Sequence, residues 1–458
     1  MKPKILFFSR QAYSKFFPKL KSTQYSDFHV VLNKEEKLEV EQLGGVVIAC
    51  FEEEYEKLPV SNFSEISLNA SFHADRSLCA LTLPERQMLL GKTISFWEKI
   101  FSENKYFAVV HETISIEQEE VLSIVAQKHN VLDLTSMALA IDNYFYWKEN
   151  PFHTAFSHKR LDFTPKEIPQ EVKAAIQKIK QKGHKPFFLN NNSQRNIMTK
   201  RGFLFGLLKF EFESLFKKIK KFSREEIIYD SIFYSGTLNR LWEYSTEDLI
   251  KRYLRSKNCY DTIDDLNNVE KYFFPLHYVP EATLLYFDFR YSNQISVLEE
   301  ILKRLPLNSV LVVKEHPMQL GALMQPEYLE LRKRNSNLRF LKGETESHKL
   351  LSESKAVITI SGSVGWEALV NNVPVIVFSN VWFDKHPDIH KPKSFDDFQK
   401  IINTELNVPK DENSELFLTK LFLLSSKGNP YNRKLYDDSE NIQNIIKSIE
   451  KVILTGKI

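Results

Sequence analysis

Short apolar runs alternate with longer amphipathic segments along most of this 458-residue chain. The first part contains apolar runs typical of buried strands, at 4–8, 29–32, 46–51, 107–111 and 131–134. Helical periodicity lies between them, notably over 83–102 and 116–128. Alternation of strands and helices predicts a parallel sheet with helices on both faces.

A second α/β pattern begins near residue 272, after a charged and mostly helical stretch. Its predicted strands are 271–278, 284–287, 310–313, 338–341, 357–360 and 375–378. A chain of this length is too long for one core. We therefore predict an α/β fold with two Rossmann-like domains. Domain 1–265 includes a helical insertion at about 164–265, and domain 266–458 ends in helices.

Two strands of the second pattern run directly into polar turns. The first turn contains Lys314, Glu315, His316 and Pro317, and the second contains Ser361, Gly362, Ser363, Val364, Gly365, Trp366 and Glu367. Ligands of open α/β sheets bind beyond the carboxyl ends of parallel strands. Either turn alone fits a simple strand end or helix cap, but the two in this order predict a ligand site.

The second turn has the composition of a phosphate site. Ser361 or Ser363 can cap the helix that follows. The free backbone N–H groups of a helix start, together with the serine hydroxyls, can hold a phosphate oxygen. Gly362 and Gly365 let the backbone approach a ligand closely. We expect all four residues to bind the phosphate of a nucleotide.

Three charged or titratable residues complete this predicted site. Glu367 lies one turn into the helix, where a carboxylate can accept hydrogen bonds from a ribose diol. Lys314 and His316 supply a positive charge and a donor for a departing phosphate, and Pro317 restricts the turn. These groups predict a nucleotide-sugar site.

The two turns resemble those of bacterial capsule-polysaccharide glycosyltransferases of the Kdo-transferase type and, more loosely, of CMP-sialic-acid transferases with an HP motif. In those families the HP turn and the serine-containing helix start bind the cytidine monophosphate part of a CMP-sugar, and a glutamate like Glu367 binds the ribose. The resemblance covers about 272–383. It includes a PLH-x-x-PE segment, matched by Pro275, Leu276, His277, Pro280 and Glu281.

The resemblance implies a GT-B architecture, in which two Rossmann-like domains face a cleft and the donor nucleotide binds the C-terminal half. His277 and Glu281 would then face the cleft, although a rigid interdomain linker explains them too. Glu112 follows the strand 107–111, where it can act on an acceptor hydroxyl or simply begin a helix. The predicted catalytic residues are Glu112, His277 and His316.

Composition limits the partners. A net charge of +3 does not call for nucleic acid. Three scattered cysteines favour reduced thiols in the cytoplasm. The segment 202–222 is basic and amphipathic, so it either contacts the inner face of the cytoplasmic membrane peripherally or packs on the core. No histidine or cysteine cluster has zinc spacing, and we expect no metal and no cofactor.

We therefore expect a cytoplasmic glycosyltransferase. It would transfer an acidic sugar, Kdo or another nonulosonate, from a CMP-sugar donor onto a saccharide or lipid-linked saccharide acceptor of a cell-surface polysaccharide. Two alternatives remain open. One is a UDP-sugar transferase, epimerase or polyol-phosphate transferase on the same scaffold. The other is a non-catalytic nucleotide-sugar-binding subunit of a capsule assembly complex.

Overall fold

The computed structural model describes residues 2–62, 75, 77–181, 223–236, 259–266, 269–279, 282–404 and 406–458. The predicted amphipathic helix over 202–222 lies outside these residues, as do Pro280, Glu281 and much of the predicted helical insertion. The chain forms two compact units. The first unit comprises Met1–Ser157, Phe222–Trp242 and Leu421–Ile458, and the second comprises His158–Lys221 and Glu243–Lys420.

The described strands belong to two sheets. In chain order they are β1 (Lys4–Phe8), β2 (Ser26–Val31), β3 (Val47–Cys50), β4 (Ala108–His111), β5 (Leu132–Ala138), β6 (Tyr144–Trp147), β7 (Glu270–Pro275), β8 (Ser309–Lys314), β9 (Leu338–Leu341), β10 (Ala356–Thr359), β11 (Val375–Val377), β12 (Ile389–His390) and β13 (Ser426–Lys427).

The described α-helices lie between these strands and after them. They are α1 (Lys34–Gln42), α2 (Phe51–Glu54), α3 (Leu83–Glu103), α4 (Glu117–Lys128), α5 (His158–Leu161), α6 (Gln170–Lys180), α7 (Arg224–Phe233), α8 (Gln294–Leu302), α9 (Pro326–Arg334), α10 (Ser347–Ser352), α11 (Val364–Val370), α12 (Phe395–Ile402), α13 (Asp411–Leu424) and α14 (Ser439–Thr455).

The first unit contains a seven-stranded sheet of order β13-β6-β5-β4-β1-β2-β3. Strands β1 to β5 pair in parallel, whereas β6 and β13 add antiparallel pairs at one edge. The second unit contains a six-stranded sheet of order β12-β11-β10-β7-β8-β9, in which every pair is parallel. The interior strands β1 and β8 consist mainly of buried apolar residues, as parallel strands covered on both faces require. The predicted α/β fold with two parallel-sheet domains is confirmed.

The last helix packs on the first sheet. Helix α14 begins where the Asp438 side chain accepts from the Asn441 amide, at 2.7 Å, and ends at Gly456, which has left-handed backbone geometry. Its apolar face, which includes Ile449, lies in one core cluster with Ile5 and Phe7 of β1. This division differs from the predicted domain 266–458, because the terminal helix belongs to the first unit.

Two local predictions differ from the structure. Residues 284–287 were expected to form a strand, but Thr283–Phe287 is a π-helical turn. A four-residue apolar run fits a strand or a helix equally well, so this expectation was wrong. Strand β6, with the sequence YFYW, was not predicted, although aromatic residues favour strands.

Helix α14 offers a direct stability test, because one face is buried and the other is exposed. Ile449 is 0% exposed and Leu454 is 84% exposed. We expect Ile449→Ala to lower the free energy of unfolding by about 2–5 kcal/mol, since it leaves a cavity in the first core. Leu454→Ala should change it by less than about 0.5 kcal/mol. Equal effects in urea titrations followed by circular dichroism would show that α14 is not part of that core.

Candidate functional site

The second sheet reverses its strand order between β7 and β10. From β7 the chain builds outward through β8 and β9, and it then returns to β10 on the other side of β7. Ligands of open α/β sheets bind beyond the carboxyl ends of the strands at such a switch point. Strand β7 leads to His277, and β10 leads to Ser361. His277 and Ser361 therefore lie beyond the two strand ends that border this switch point.

His277 is buried and bridges the switch point. Its Nε2 atom accepts a hydrogen bond from the Ser361 amide, at 3.0 Å. An imidazole that accepts at Nε2 must be neutral and carry its proton at Nδ1. Burial, together with the nearby His316, lowers the pKa of His277 to about 4, so the ring stays neutral at physiological pH. Within the described residues, its buried Nδ1 has no hydrogen-bond partner.

The backbone of His277 is held by Gln294, the first residue of α8. Gln294 Oε1 accepts from the His277 amide at 2.8 Å, and Gln294 Nε2 donates to the His277 carbonyl at 3.2 Å. Both backbone groups of a residue beyond a strand end are thereby satisfied. Sequence reasoning missed Gln294, because no local pattern indicates a partner 17 residues away.

Two backbone amides of the serine turn already have hydrogen-bond partners within the protein. The Ser361 amide donates to His277, and the Gly362 amide donates to Thr359 Oγ1 at 3.0 Å. Ser363 is the N-cap residue of α11, but its side chain forms no capping hydrogen bond. The amides of Ser361 and Gly362, which precede α11, are therefore already used within the protein.

The glycines of this turn lie where a side chain would collide. A Cβ atom on Gly362 would lie 2.9 Å from Thr359 Oγ1 and 3.4 Å from His277 Nε2. A Cβ atom on Gly365 would lie 2.8 Å from the ring of Phe383. Both glycines thus permit close packing around the turn, which is the structural reason for their presence.

Polar atoms at this switch point are buried without partners. In the described part of the chain, neither Ser361 Oγ nor Glu367 Oε1 forms a hydrogen bond, although both atoms are buried. Buried polar atoms without partners cost free energy and are uncommon in native proteins. A bound polar ligand would satisfy them, so their position supports the predicted ligand site.

Lys314 and Glu367 interact electrostatically across this site. Burial lowers the pKa of Lys314 to about 8, while Glu367, Glu344 and Glu315 act in the opposite direction. Burial raises the pKa of Glu367 to about 7, and the Lys314 charge opposes that rise. Near neutral pH, Lys314 is therefore mostly charged and Glu367 is poised between its two protonation states.

His316 projects a donor from the first turn. Its Nδ1 accepts from the Met318 amide at 3.2 Å, so the proton of the neutral ring lies on Nε2. Burial and the adjacent Lys314 lower the His316 pKa to about 4. Gly343 lies against this turn, since a Cβ atom there would be 3.2 Å from the His316 carbonyl oxygen and 3.3 Å from Pro317 Cα.

The remaining predicted residues lie elsewhere. Glu112 belongs to the first unit, directly after β4, and pairs with Arg10. Glu281 lies outside the described residues. Glu315, which was read as part of the first turn, is buried and accepts from Tyr260 and from the Leu323 amide, so it braces the turn. No helix of the described chain is long and apolar enough to cross a membrane.

Three solved structures overlap loosely with this chain. The beta Kdo 2,4 transferase of KpsC from Thermosulfurimonas dismutans is 12% identical with a TM-score of 0.37, covering 75% of this chain and 86% of that one. Its beta Kdo 2,7 transferase is 10% identical with a TM-score of 0.33, covering 78% and 88%. The UDP-GlcNAc 2-epimerase from Methanocaldococcus jannaschii is 14% identical with a TM-score of 0.26, covering 92% and 100%.

A family comparison matches the segment that contains most residues of the candidate site. A comparison with curated proteins finds no match. Residues 285–405 match the family described as capsule polysaccharide biosynthesis protein. This segment contains Lys314, His316, Ser361 and Glu367. The resemblance to capsule-polysaccharide proteins is thus confirmed for this part of the chain, and residues 285–405 carry the sequence pattern of that family.

Proposed function

We propose that this protein is a glycosyltransferase that transfers an acidic sugar, Kdo or another nonulosonate, from a CMP-sugar onto a saccharide or lipid-linked saccharide of a cell-surface polysaccharide. One observation carries the proposal. Among the described residues, Ser361 Oγ and Glu367 Oε1 are buried without hydrogen-bond partners at the switch point of the second sheet. Glu367 also interacts electrostatically with Lys314, and all three residues lie inside the segment that matches the capsule family.

In the proposed donor site, the helix after the second turn binds the ribose, and groups from both turns bind the phosphate. Glu367 accepts hydrogen bonds from the ribose diol. The Lys314 charge, the His316 Nε2–H and the Ser361 hydroxyl face the phosphate. The amides of Ser363 and Val364 add donors there, because the preceding amides are already used.

In the proposed reaction, the bond between the anomeric carbon and the phosphate oxygen breaks, and CMP leaves with the electron pair. Fixed donors stabilise the charge that develops on the phosphate. The acceptor hydroxyl forms the new bond and gives its proton to Glu112. The bond between His277 and the Ser361 amide favours a positioning role for His277 over direct catalysis. No metal or further cofactor is needed in this scheme, and we place the protein in the cytoplasm.

The proposal predicts selectivity for the cytidine nucleotide. Titration calorimetry with CMP, UDP and GDP should give the tightest binding for CMP. The basis is the resemblance of the two turns to those of CMP-sugar enzymes. Tighter binding of UDP would favour the alternative of a UDP-sugar transferase or epimerase. CMP binding without any release of CMP from a CMP-sugar would favour the non-catalytic subunit.

The proposed contact between Glu367 and the ribose predicts that nucleoside affinity depends on pH. The ionised carboxylate accepts from the ribose hydroxyls better than the neutral form, and the Glu367 pKa is about 7. Cytidine, which lacks a phosphate, should therefore bind more tightly as the pH rises from 6 to 8. Glu367→Gln should remove this dependence and weaken binding at pH 8 by roughly 10- to 100-fold.

Ligand-observed NMR titration at several pH values measures this effect. Glu346→Gln, which changes an exposed carboxylate of the same unit, is the matched control and should retain the dependence. A pH profile that is the same for wild type and Glu367→Gln would remove Glu367 from the ribose site.

The proposed role of His316 predicts that its loss lowers the rate of transfer far more than it weakens the binding of CMP. If its Nε2–H donates to the departing phosphate, the bond strengthens as charge develops, so His316→Ala should lower kcat by roughly 10²–10³. CMP affinity should fall much less, and His316→Asn should recover part of the rate. His390→Ala, at the edge strand β12, is the control and should retain the wild-type rate. A normal kcat for His316→Ala would limit His316 to shaping the turn before Pro317.

A further inference from the structure

The segment that follows β7 stays close to β8 after both strands have ended. Lys314 is the last paired residue of β8, and its carbonyl still accepts from the Leu276 amide at 2.9 Å. Beyond Lys314 the chain forms a turn at 316–319, in which the Gln319 amide donates to the His316 carbonyl at 2.9 Å. The backbone pairing between the two segments therefore ends at the start of this turn, which we call the His316 turn.

The Gln319 side chain continues this pairing beyond the strand ends. Its Oε1 accepts from the Val279 amide at 3.0 Å, and its Nε2 donates to the Val279 carbonyl at 2.8 Å. A carboxamide offers an acceptor and a donor as a peptide group does, so it can take the place of a neighbouring strand. Gln294 holds both backbone groups of His277 in the same manner. Two glutamines thus fix alternate residues of the segment that follows β7.

The two glutamines differ in what they connect. Gln294 begins α8, whereas Gln319 belongs to the His316 turn itself. The bonds of Gln319 therefore set the distance between this turn and the segment after β7. The ring of Tyr278 contacts that of His316 edge to face, with the centroids 5.9 Å apart and the planes at 64°. Because Tyr278 directly precedes Val279, Gln319 also fixes the backbone that carries this ring.

The His316 ring is held at two places. Its Nδ1 accepts from the Met318 amide at 3.2 Å, and its ring meets Tyr278. Met318 and Gln319 are neighbours in the same turn, so a displacement of Gln319 also moves the amide that holds Nδ1. The direction of the His316 Nε2–H therefore depends on where the Gln319 carboxamide anchors the turn.

The bonds of Gln319 lie at the surface of the second unit. Val279 is 38% exposed, and both bonds to its backbone are open to solvent. Water can replace an exposed hydrogen bond at little cost, so such bonds add little to the free energy of unfolding. A carboxamide that takes both backbone groups of one residue supplies direction more than stability. The loss of Gln319 should therefore displace the turn and leave the fold intact.

We propose that Gln319 is a positioning residue for His316, and that its carboxamide, together with the Tyr278 ring, keeps the His316 Nε2–H directed at the phosphate of the donor nucleotide. The inference rests on the proposed transferase function and deepens it, because it assigns the alignment of the phosphate donor to residues that do not touch the phosphate. Gln319 neither binds the nucleotide nor moves a proton. It acts by holding His316 in one orientation while charge develops on the departing phosphate.

Steady-state kinetics test this role, with CMP-Kdo as donor and a fluorescent Kdo glycoside as acceptor. Gln319→Leu removes both bonds to Val279 at a similar side-chain volume. It should lower kcat by roughly 10- to 100-fold, because a misplaced donor loses its alignment. The donor KM should change far less than kcat. Gln319→Asn keeps a carboxamide that is one methylene shorter, so it should lose less activity than Gln319→Leu.

A double variant separates positioning from a merely structural effect. If Gln319 acts through His316, the combination of Gln319→Leu with His316→Ala should be no slower than His316→Ala alone. Gln399→Leu, the same change at an exposed glutamine of α12 in the same unit, is the matched control and should retain full activity. Losses that multiply in the double variant, or a folded Gln319→Leu with the wild-type kcat, would overturn the inference. If Gln319→Leu fails to fold, Tyr278→Leu takes its place in the same comparison.

Histidine-selective ¹⁵N NMR of the ligand-free protein gives a readout that needs neither donor nor acceptor. In the wild type, His316 should show one set of ring resonances with the proton on Nε2. Gln319→Leu should shift or broaden these resonances, because the ring then samples several orientations. His390, at the edge strand β12, should keep its resonances in both proteins. Identical His316 resonances in the two proteins would show that Gln319 does not position the ring.

The two proposals fail in different ways. A wild-type protein that releases no CMP from either CMP-Kdo or CMP-N-acetylneuraminate would overturn the transferase function and this inference with it. A wild-type protein that transfers sugar, combined with Gln319 variants that keep the wild-type kcat and the wild-type His316 resonances, would overturn only the role of Gln319.

Discussion

The hydrogen bond from the Ser361 amide to His277 Nε2 joins the two strand ends on either side of the switch point of the second sheet. The bond needs a neutral imidazole, and burial provides it by lowering the His277 pKa to about 4. It fixes the backbone at the start of the serine turn, from which the Ser361 side chain extends. Gln294 holds the backbone of His277 from the other side. The candidate donor site depends on this one constraint.

Charge is arranged differently in the two units. In the second unit, Lys314 and Glu367 both lie in surroundings that disfavour their ionised forms, and each partly stabilises the other. Such a pair is expected where a charged ligand is to be bound. In the first unit, the buried Arg10 pairs with two carboxylates, of which Glu119 is buried and Glu112 is partly exposed. The two units therefore differ in the charged groups that follow their parallel strands.

The sequence predicted most strands and the two polar turns, because buried strands have clear apolar patterns and their ends carry distinctive residues. It placed Lys314, His316, Ser361 and Glu367 near one sheet edge, and the structure brings Lys314 and Glu367 into electrostatic contact there. The sequence could not show that His277 accepts a hydrogen bond from the Ser361 amide, because that bond joins residues far apart in the chain. Gln294 and Gln319 were missed for the same reason. The run 284–287 was misread because four residues are too few to establish a period.

Histidine-selective ¹⁵N NMR, recorded while CMP is added, tests the central claim most directly. The ring resonances of His316 should move as its Nε2–H meets the phosphate, while His277 should keep its Nδ1–H tautomer and its bond to Ser361. His390, at the edge of the sheet, should not respond. Saturating CMP binding that leaves the His316 resonances unchanged would contradict a nucleotide site at this switch point.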